Sequence, residues 1–444
     1  MSQSTLEVYR ETGVLPPDDP LRVQLHNELH ARPTPRIRLP ALVLQVAVRH
    51  EGVSREEELE HLRRLAGLGE LELDQLAGTY LRLRLSGGSL RWERHTEFST
   101  YTLVQNLPNL EVTPETDLLG HLVVDAAWLR GIPGRTLSAV KLVMLEGPVE
   151  KALEMARPWF GGGPVVASVM GRGGHSCAVT DFRLRPNGFE RMVVVAPPDT
   201  SETRAGRIAA RLLEIESYRM MALLGFPVAR GLRAMLLESE QALAQITARI
   251  RDASKADAEL LDELEALAAR VEHAIAEHSY RFSASAAYHA LVQARLAELR
   301  ETPIPGTQTL GEFLQRRFSP AMATVESTAN RLAALSQRIE RAGALLRTRV
   351  DIALETQNQE LLNKLRRGQE MQYQLQRTVE GLSIAAISYY VVGLLYYLFK
   401  AGKEAGLPLS PELAAGLAIP AVVLGVWWLT RQIHHRLLGR YQGD

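Results

Sequence analysis

LSIAAISYYVVGLLYYLF, residues 382–399, and LAAGLAIPAVVLGVWWLT, residues 413–430, are two apolar runs of 18 residues without a charged side chain. As helices that rise about 1.5 Å per residue, each covers about 27 Å, close to the thickness of the hydrocarbon core of a bilayer. The alternative is a buried helical hairpin, but two such runs separated by only 13 residues are rare in a soluble domain. The pair therefore predicts a transmembrane hairpin over residues 379–433.

Basic residues around the hairpin predict its orientation. Cations precede the first run and follow the second, and fewer lie between the runs. They are Lys364, Arg366, Arg367 and Arg377, then Arg431, Arg436 and Arg440, and in the connection Lys400 and Lys403. Because cytoplasmic flanks carry the excess of Lys and Arg, both chain ends, including a basic tail at 434–444, are expected in the cytoplasm. Residues 1–20 are polar and lack the apolar core of a secretory signal.

The composition limits the classes of function. The chain has 444 residues, which at about 100–200 residues per domain suggests more than one folding unit. Its 51 Lys and Arg balance 51 Asp and Glu, so it lacks the large single-sign field of a nucleic-acid-binding protein, and no nucleic acid partner is expected. The single cysteine, Cys177, excludes internal disulfides and cysteine zinc clusters.

Residues 37–200, which follow an N-terminal segment at 1–36, alternate strand and helix patterns. Ala41–Arg49 is almost continuously apolar, as expected for a strand covered on both faces, and Ser54 with Glu57 has the capping-box spacing that begins a helix. Further strands are predicted at Tyr80–Leu85, within Arg91–Gln105, at Leu137–Leu145 and in a hairpin around Asn187-Gly188, and a further helix at Pro148–Trp159. The predicted fold class is a mixed α/β (α+β) cytosolic domain.

From Ser201 the composition changes to Ala, Leu, Glu and Arg, which predicts an antiparallel helical region at 201–318 and a stalk helix at 319–378. No proline occurs between Pro320 and Pro408, so this helix can enter the first apolar run after about 90 Å. A coiled-coil seam is predicted at Leu332, Leu335, Ile339, Ala342 and Leu346, then at Leu354, Leu361 and Leu365, and finally at Leu375, Val379 and Leu382. Such a stalk needs neighbours, which are the preceding helices, other subunits, or both.

Three polar clusters are candidate ligand-binding sites. They consist of His26, Glu28, His30 and Arg32, then of Glu93, His95 and Glu97, and then of Asp181 and Arg183. In a strand, the second cluster shares one face; its His95 and Glu97, with His26 and His30 on one helix face, offer imidazoles and a carboxylate to a divalent metal ion. The alternative is that these are hydrogen-bonded structural groups, with Asp181 and Arg183 as an ion pair within a sheet.

The sequence contains no nucleophile elbow and no phosphate-binding loop motif. We therefore expect no enzyme activity and no cofactor beyond a divalent cation.

A line of small and polar residues crosses the entrance of the first apolar run. Its members repeat with 4/3/4/3/4 spacing and are Gln374, Thr378, Gly381, Ala385, Ser388 and Val392. If this face turns towards a symmetry axis, these six are pore-lining residues. The alternative is ordinary close packing of membrane helices, which also favours small and hydroxyl-bearing side chains.

Five stretches resemble a bacterial family of uncharacterised membrane-anchored proteins, over essentially the whole chain. They are HNELHARP (26–33), RHTEFSTYT (94–102), TDFR (180–183), RLLEIESYRMMALLG (211–225) and the run from Thr348 to Gly393. The resemblance implies the bacterial inner membrane as the location and brings no established activity.

The order of the elements resembles that of CorA-type magnesium channels, in which five stalk helices surround a pore. This resemblance implies a homo-oligomer, a pentamer, that conducts a divalent cation across the lipid bilayer. The chain departs from that family at the outer end of the first apolar run, where Tyr396-Tyr397-Leu398-Phe399 stands in place of Gly-Met-Asn. The competing hypothesis is a non-conducting, membrane-anchored sensor or scaffold.

Overall fold

The computed structural model describes residues 18–28, 34–65, 79–107, 122–251, 257–404 and 410–438. The chain divides into two compact units. The first comprises Met1–Ala253 with Asp262–Ala342, and the second comprises Ser254–Leu261 with Gly343–Asp444.

A mixed sheet forms the centre of the first unit. Its strands are β1 (Ala41–Arg49), β2 (Tyr80–Leu85), β3 (Gly88–Arg94), β4 (Phe98–Asn106), β5 (Arg135–Glu146), β6 (Val166–Met170), β7 (Ser176–Thr180), β8 (Glu190–Ala196) and β9 (Thr302–Pro303). In space their order is β2-β3-β4-β1-β5-β8-β7-β6-β9. Neighbouring strands are antiparallel except β5 and β8, which are parallel. The predicted mixed α/β class is confirmed.

Eleven α-helices accompany the sheet in the described part of the chain. They are α1 (Arg22–Glu28), α2 (Arg55–Arg63), α3 (Ala126–Arg130), α4 (Ala152–Ala156), α5 (Glu202–Leu223), α6 (Gly225–Gly231), α7 (Arg233–Arg251), α8 (Asp257–Leu299), α9 (Leu310–Arg317), α10 (Ser319–Glu404) and α11 (Pro411–Leu438). The predicted capping box is present, because Ser54 accepts a hydrogen bond from the Glu57 amide while the Glu57 side chain accepts from the Ser54 amide.

Strand β1 is covered on both faces, as its apolar sequence predicts. Its even-numbered residues, such as Leu42 and Leu44, pack into a core with Leu62 of α2. Its odd-numbered Ala47 packs on the opposite face with Phe98 and with Met221 of α5. Because every β1 residue before Arg49 is buried, α2 and α5 are held against opposite faces of one rigid strand.

Two predicted elements are interrupted in the structure. The predicted helix at Pro148–Trp159 is a short α4 flanked by 3-10 turns, and the second of these turns contains Pro158. A proline lacks the amide hydrogen and disfavours helical geometry in the residue before it. The predicted strand pattern over Arg91–Gln105 is divided between β3 and β4, because the chain turns at residues 95–97.

Gly206 of α5 allows a close approach of the N-terminal segment. A β-carbon at this position would lie 1.6 Å from the carbonyl oxygen of Pro35. We expect Gly206→Ala to lower the free energy of unfolding by at least about 2 kcal/mol, because backbone cannot move aside as a flexible side chain can. Chemical denaturation of the full chain in detergent measures this loss. Gly231→Ala is the control, since a β-carbon at Gly231 meets nothing within 4 Å; equal effects of the two would contradict the packing argument.

Two described helices are long and apolar enough to cross a membrane, namely α10 and the segment Pro411–Gln432 of α11. A third candidate requires α5 to α7 to be read as one span bent by 47°. Since α5 packs on β1 and β5, it belongs to the core of the first unit. The two C-terminal helices indicate that the protein is anchored in a membrane.

The predicted seam of the stalk helix is buried in its first part and exposed in its later part. The early members Leu332, Leu335 and Ile339 are buried within the first unit. Residues 351–379, in contrast, are exposed almost throughout, although α10 remains one uninterrupted helix of 86 residues. Apolar side chains that are about 60% exposed, such as Leu361 and Leu375, would normally be covered.

Candidate functional site

An open cavity of about 610 Å³ lies at one end of the sheet in the first unit. The end of the sheet, with the loops and the start of α2 next to it, contributes His50, Arg55, Thr79, Arg94, His95 and Thr96 to the lining. The helices α5 and α8 contribute Tyr218, Tyr288 and Leu291. The cavity therefore has a basic and hydroxyl-bearing part from the sheet end and an aromatic part from the helices.

The turn between β3 and β4 positions His95. Its amide donates to the carbonyl oxygen of Phe98 at 2.8 Å, and the His50 amide reaches the carbonyl oxygen of Glu97 at 3.4 Å. His50 Nε2 also donates to the carbonyl oxygen of His95 at 3.0 Å. These bonds join the end of β1 to the β3–β4 turn, so both histidines reach the cavity from fixed backbone.

Arg94 is held from behind by α2 and the loop before it. Its guanidinium forms an ion pair with Glu58, whose side chain is fully buried, and donates to the carbonyl oxygen of Val53 at 3.1 Å. A buried carboxylate requires such a partner, because an unpaired charge in the interior is very costly. Arg94 is thus rigidly oriented at the cavity wall.

Aromatic side chains build the helical side of the cavity. The His95 ring stacks on Phe98 at 4.3 Å, and Tyr218 stacks on Tyr288 at 5.9 Å between ring centroids. Burial and the neighbouring Glu97 carboxylate raise the pKa of Tyr288, which keeps its hydroxyl protonated. Glu97 itself is paired with Arg281 of α8 at 2.8 Å.

The structure separates residues that the sequence pattern places together. The prediction that Glu93, His95 and Glu97 share a strand face is wrong, because β3 ends at Arg94. Glu93 pairs with Arg91 within the sheet and also accepts a hydrogen bond from Thr100. Only His95 of this cluster lines the cavity, with Glu97 in the adjoining turn.

The N-terminal candidates are only partly described. His26 and Glu28 belong to α1, whereas His30 and Arg32 lie outside the residues that the structure describes. Within the described ranges, no three His, Cys, Asp or Glu side chains converge as a metal site would require. The metal prediction for His26, His30, His95 and Glu97 therefore stays a prediction.

Asp181 and Arg183 do not form the predicted ion pair. Since β7 ends at Thr180, both follow the strand, and Asp181 instead pairs with Arg185 at 2.5 Å. The Arg183 amide donates to Asp181 Oδ1 at 3.2 Å. Between them, Phe182 has a φ of +49°, which is uncommon for a residue with a side chain.

A buried ion network lies beneath Phe182 and was not predicted. Arg219 of α5 donates to Glu216 at 3.0 Å and to Glu190 of β8 at 3.1 Å. Its guanidinium lies 5.5 Å from the ring of Phe182, which in turn stacks on Phe313 of α9. Burial and the neighbouring Glu216 carboxylate raise the pKa of Glu190. Two carboxylates thus share one guanidinium in the interior.

The second unit contains the predicted pore-lining residues. Gln374, Thr378, Gly381 and Ala385 are exposed, and Val392 is half-buried. Ser388 is only 5% exposed, and its hydroxyl has no hydrogen-bond partner among the described residues. A neighbouring part of the same chain therefore covers this polar line at one point.

A second line on α10 carries the exposed leucines. We call it the leucine seam; it consists of Leu354, Leu361, Leu365, Leu375, Val379 and Leu382, which are 54–67% exposed. Four of these leucines are spaced by multiples of seven, and Asn358 and Gln372 occupy the alternate positions of the same heptad. Leu375, Val379 and Leu382 each follow a residue of the polar line by one position, so at about 100° per residue the two lines lie about 100° apart where they overlap.

Comparison with known proteins places the chain in a family without an assigned function. No curated protein matches it. Among solved structures, it is similar to the structure of the full-length CmaX protein, at 13% identity, over 80% of this chain and 96% of that one, with a TM-score of 0.20. The family model described as protein of unknown function (DUF3422) matches residues 17–437. The chain therefore belongs to the DUF3422 family.

Proposed function

We propose that the protein is a homo-oligomer of the bacterial inner membrane, with both termini in the cytoplasm, whose α10 helices surround a path for a divalent cation. The observation that carries this proposal is the continuity of α10, which runs without a break from Ser319 to Glu404. One continuous helix thus starts in the first unit and contains a candidate membrane span in the second. This order of elements resembles that of CorA-type channels.

A second copy of the chain is the proposed partner of the leucine seam. Copies anchored in one bilayer with the same orientation place their α10 helices parallel and at the same height. A seam that repeats every 3.5 residues is then self-complementary, because each heptad layer meets its own equivalent. Asn358 and Gln372 add polar layers, which fix the register of a coiled coil at some cost in stability.

Open space beside Gly381, at the membrane entrance, supports a path along α10. A β-carbon at Gly381 would meet nothing within 4 Å, so this face leaves room next to the helix. The proposed pore-lining residues remain Gln374, Thr378, Gly381, Ala385, Ser388 and Val392. In an assembly of five helices, the leucine seam joins the cytoplasmic parts while this polar line contributes to the membrane entrance.

Reconstitution tests conduction directly. The purified protein in liposomes is expected to pass Mg²⁺ or another divalent cation in a flux assay, after its subunit number has been determined in detergent. Gly381→Leu should reduce this flux at least about tenfold, because it fills the entrance in every subunit. Gly425→Leu on α11 is the matched control, since its surroundings are equally open. A monomer, or an oligomer without flux, would contradict the proposal.

A second candidate function is a membrane-anchored sensor or scaffold that does not conduct. The covered Ser388 supports it, because a residue that packs inside its own chain does not line a path. The Tyr396-Tyr397-Leu398-Phe399 stretch, in the place of Gly-Met-Asn, supports it as well. An intact oligomer without flux is the outcome that this second candidate predicts.

A further inference from the structure

We propose that the cavity beside His95 binds a phosphate monoester whose organic part carries a heteroaromatic ring, that is, a ligand of the mononucleotide type. The juxtaposition of a basic wall and an aromatic wall in one cavity carries this proposal. It does not depend on whether the membrane part conducts.

The basic wall points to an anion. Two arginines and two histidines line the cavity, and no acidic side chain belongs to its described lining. The nearest carboxylates, Glu58 and Glu97, are already neutralised by Arg94 and Arg281. A cation would therefore find no free carboxylate in the described lining, whereas an anion finds several hydrogen-bond donors.

Arg55 is the donor that is most available to a ligand. It is exposed, and it forms no hydrogen bond or ion pair with other residues in the described part of the chain. Arg94, in contrast, is fixed by Glu58 and Val53 and presents the rest of its guanidinium at the wall. One fixed and one adaptable arginine suit a phosphate, which guanidinium groups bind through paired hydrogen bonds.

The hydroxyl groups fit the same ligand. Thr79 and Thr96 line the cavity from the segments on either side of the β2–β3 hairpin. Phosphate oxygens accept hydrogen bonds from threonine hydroxyls as well as from arginine. The donors thus come from three separate segments that meet only in the folded sheet.

The size and the aromatic wall exclude a bare inorganic ion as the full occupant. A volume of about 610 Å³ lies in the range of small-molecule and cofactor pockets. Tyr218, Tyr288 and Leu291 offer apolar and ring surface that a phosphate ion alone cannot use. A heteroaromatic ring can stack there, since stacking on tyrosine tolerates any flat π-system.

Calorimetric titration of the full-length protein in detergent tests this inference. The probes are AMP and UMP, with adenosine for the ring alone and inorganic phosphate for the charge alone. We expect at least one mononucleotide to bind saturably and at least about tenfold more tightly than either part. Failure of both mononucleotides to bind, or equal affinity for AMP and adenosine, would overturn the proposal.

Two variants locate the site. Arg55→Gln should weaken mononucleotide binding at least about tenfold, the usual cost of losing one charge-assisted hydrogen bond to a ligand. Arg64→Gln is the control, because Arg64 is an exposed arginine at the opposite end of the same helix α2. Equal losses in both variants would show that binding reflects general surface charge and would overturn the proposal. Liposome flux is measured separately, so failure of this inference and failure of conduction are distinguishable.

Discussion

Leu361→Glu is expected to dissociate the proposed oligomer into single subunits. Leu361 is 57% exposed in the single chain and lies in the middle of the leucine seam. Burying one leucine side chain contributes about 1.5–3 kcal/mol, and this gain is lost in every subunit. The glutamate also places like charges from all copies in one layer of an apolar interface, where each charge loses its hydration.

Ile352→Glu is the matched control for this prediction. Ile352 is 59% exposed, almost the same as Leu361, but at about 100° per residue it lies on the opposite face of α10 from the seam. Light scattering during size-exclusion chromatography in detergent gives the mass of each variant. We expect the Ile352→Glu protein to keep the wild-type mass and the Leu361→Glu protein to lose it. An unchanged mass for both would show that another surface joins the subunits.

Arg219→Met is expected to lower the free energy of unfolding by about 3–5 kcal/mol, which is the range for removing one partner of a buried ion pair. Glu216 is fully buried and the Glu190 side chain is 11% exposed. Without Arg219, both buried carboxylates lose the guanidinium that donates hydrogen bonds to them. Chemical denaturation of the full chain, followed by circular dichroism, measures the loss. Arg211 on the same helix is half-buried and forms a partly exposed ion pair with Glu298, so Arg211→Met should change stability by less than about 1 kcal/mol.

Glu190→Gln tests whether the protonation of Glu190 contributes to stability, because glutamine has nearly the same size but does not titrate. Because its pKa is raised in the folded state, the protonated Glu190 contributes stability that is fully present below its unfolded value of about 4.3. That contribution is lost as the pH rises through the raised pKa. Glutamine keeps a neutral donor at the same place at every pH. We therefore expect Glu190→Gln to match the wild type near pH 5 and to exceed it by at least about 1 kcal/mol at pH 8. The same pH dependence for both proteins would contradict the raised pKa of Glu190.

Local sequence patterns predicted the elements but not the site. The apolar run Ala41–Arg49 and the Asn187-Gly188 turn predicted β1 and the β7–β8 hairpin, because each is specified by a few adjacent residues. The cavity needs His95 and Tyr288, which are far apart in the chain and meet only after α8 packs against the sheet. No spacing rule connects such residues in a single sequence.

The ion network illustrates the same limit. The sequence pattern predicted an ion pair between Asp181 and Arg183, but Asp181 pairs with Arg185. The buried arginine of this region is Arg219 of α5, which pairs with Glu190. Its signal was an arginine beside the buried face of the amphipathic helix α5, near buried residues such as Leu213 and Met221. An arginine at such a position needs a carboxylate, but periodicity does not say which one.

The stalk shows what periodicity does and does not decide. The absence of proline between Pro320 and Pro408 predicted one continuous helix, and α10 confirms it. The same helix carries the leucine seam and the polar line, about 100° apart where they overlap, and each is a regular stripe. Which stripe meets a second copy depends on the assembly, which one chain does not contain.

Cross-linking in native membranes tests most directly whether the leucine seam joins the subunits. The only cysteine, Cys177, is buried, and burial raises its pKa to about 12, so Cys177→Ala provides a clean background. A new cysteine is introduced either at Leu375, on the seam, or at the adjacent Gln374, on the polar line. We predict that a short bis-maleimide joins subunits through position 375 at least about tenfold more efficiently than through position 374, since neighbouring helix residues differ by about 100° in direction. Absence of a cross-linked product at 375, or a stronger product at 374, would contradict the account.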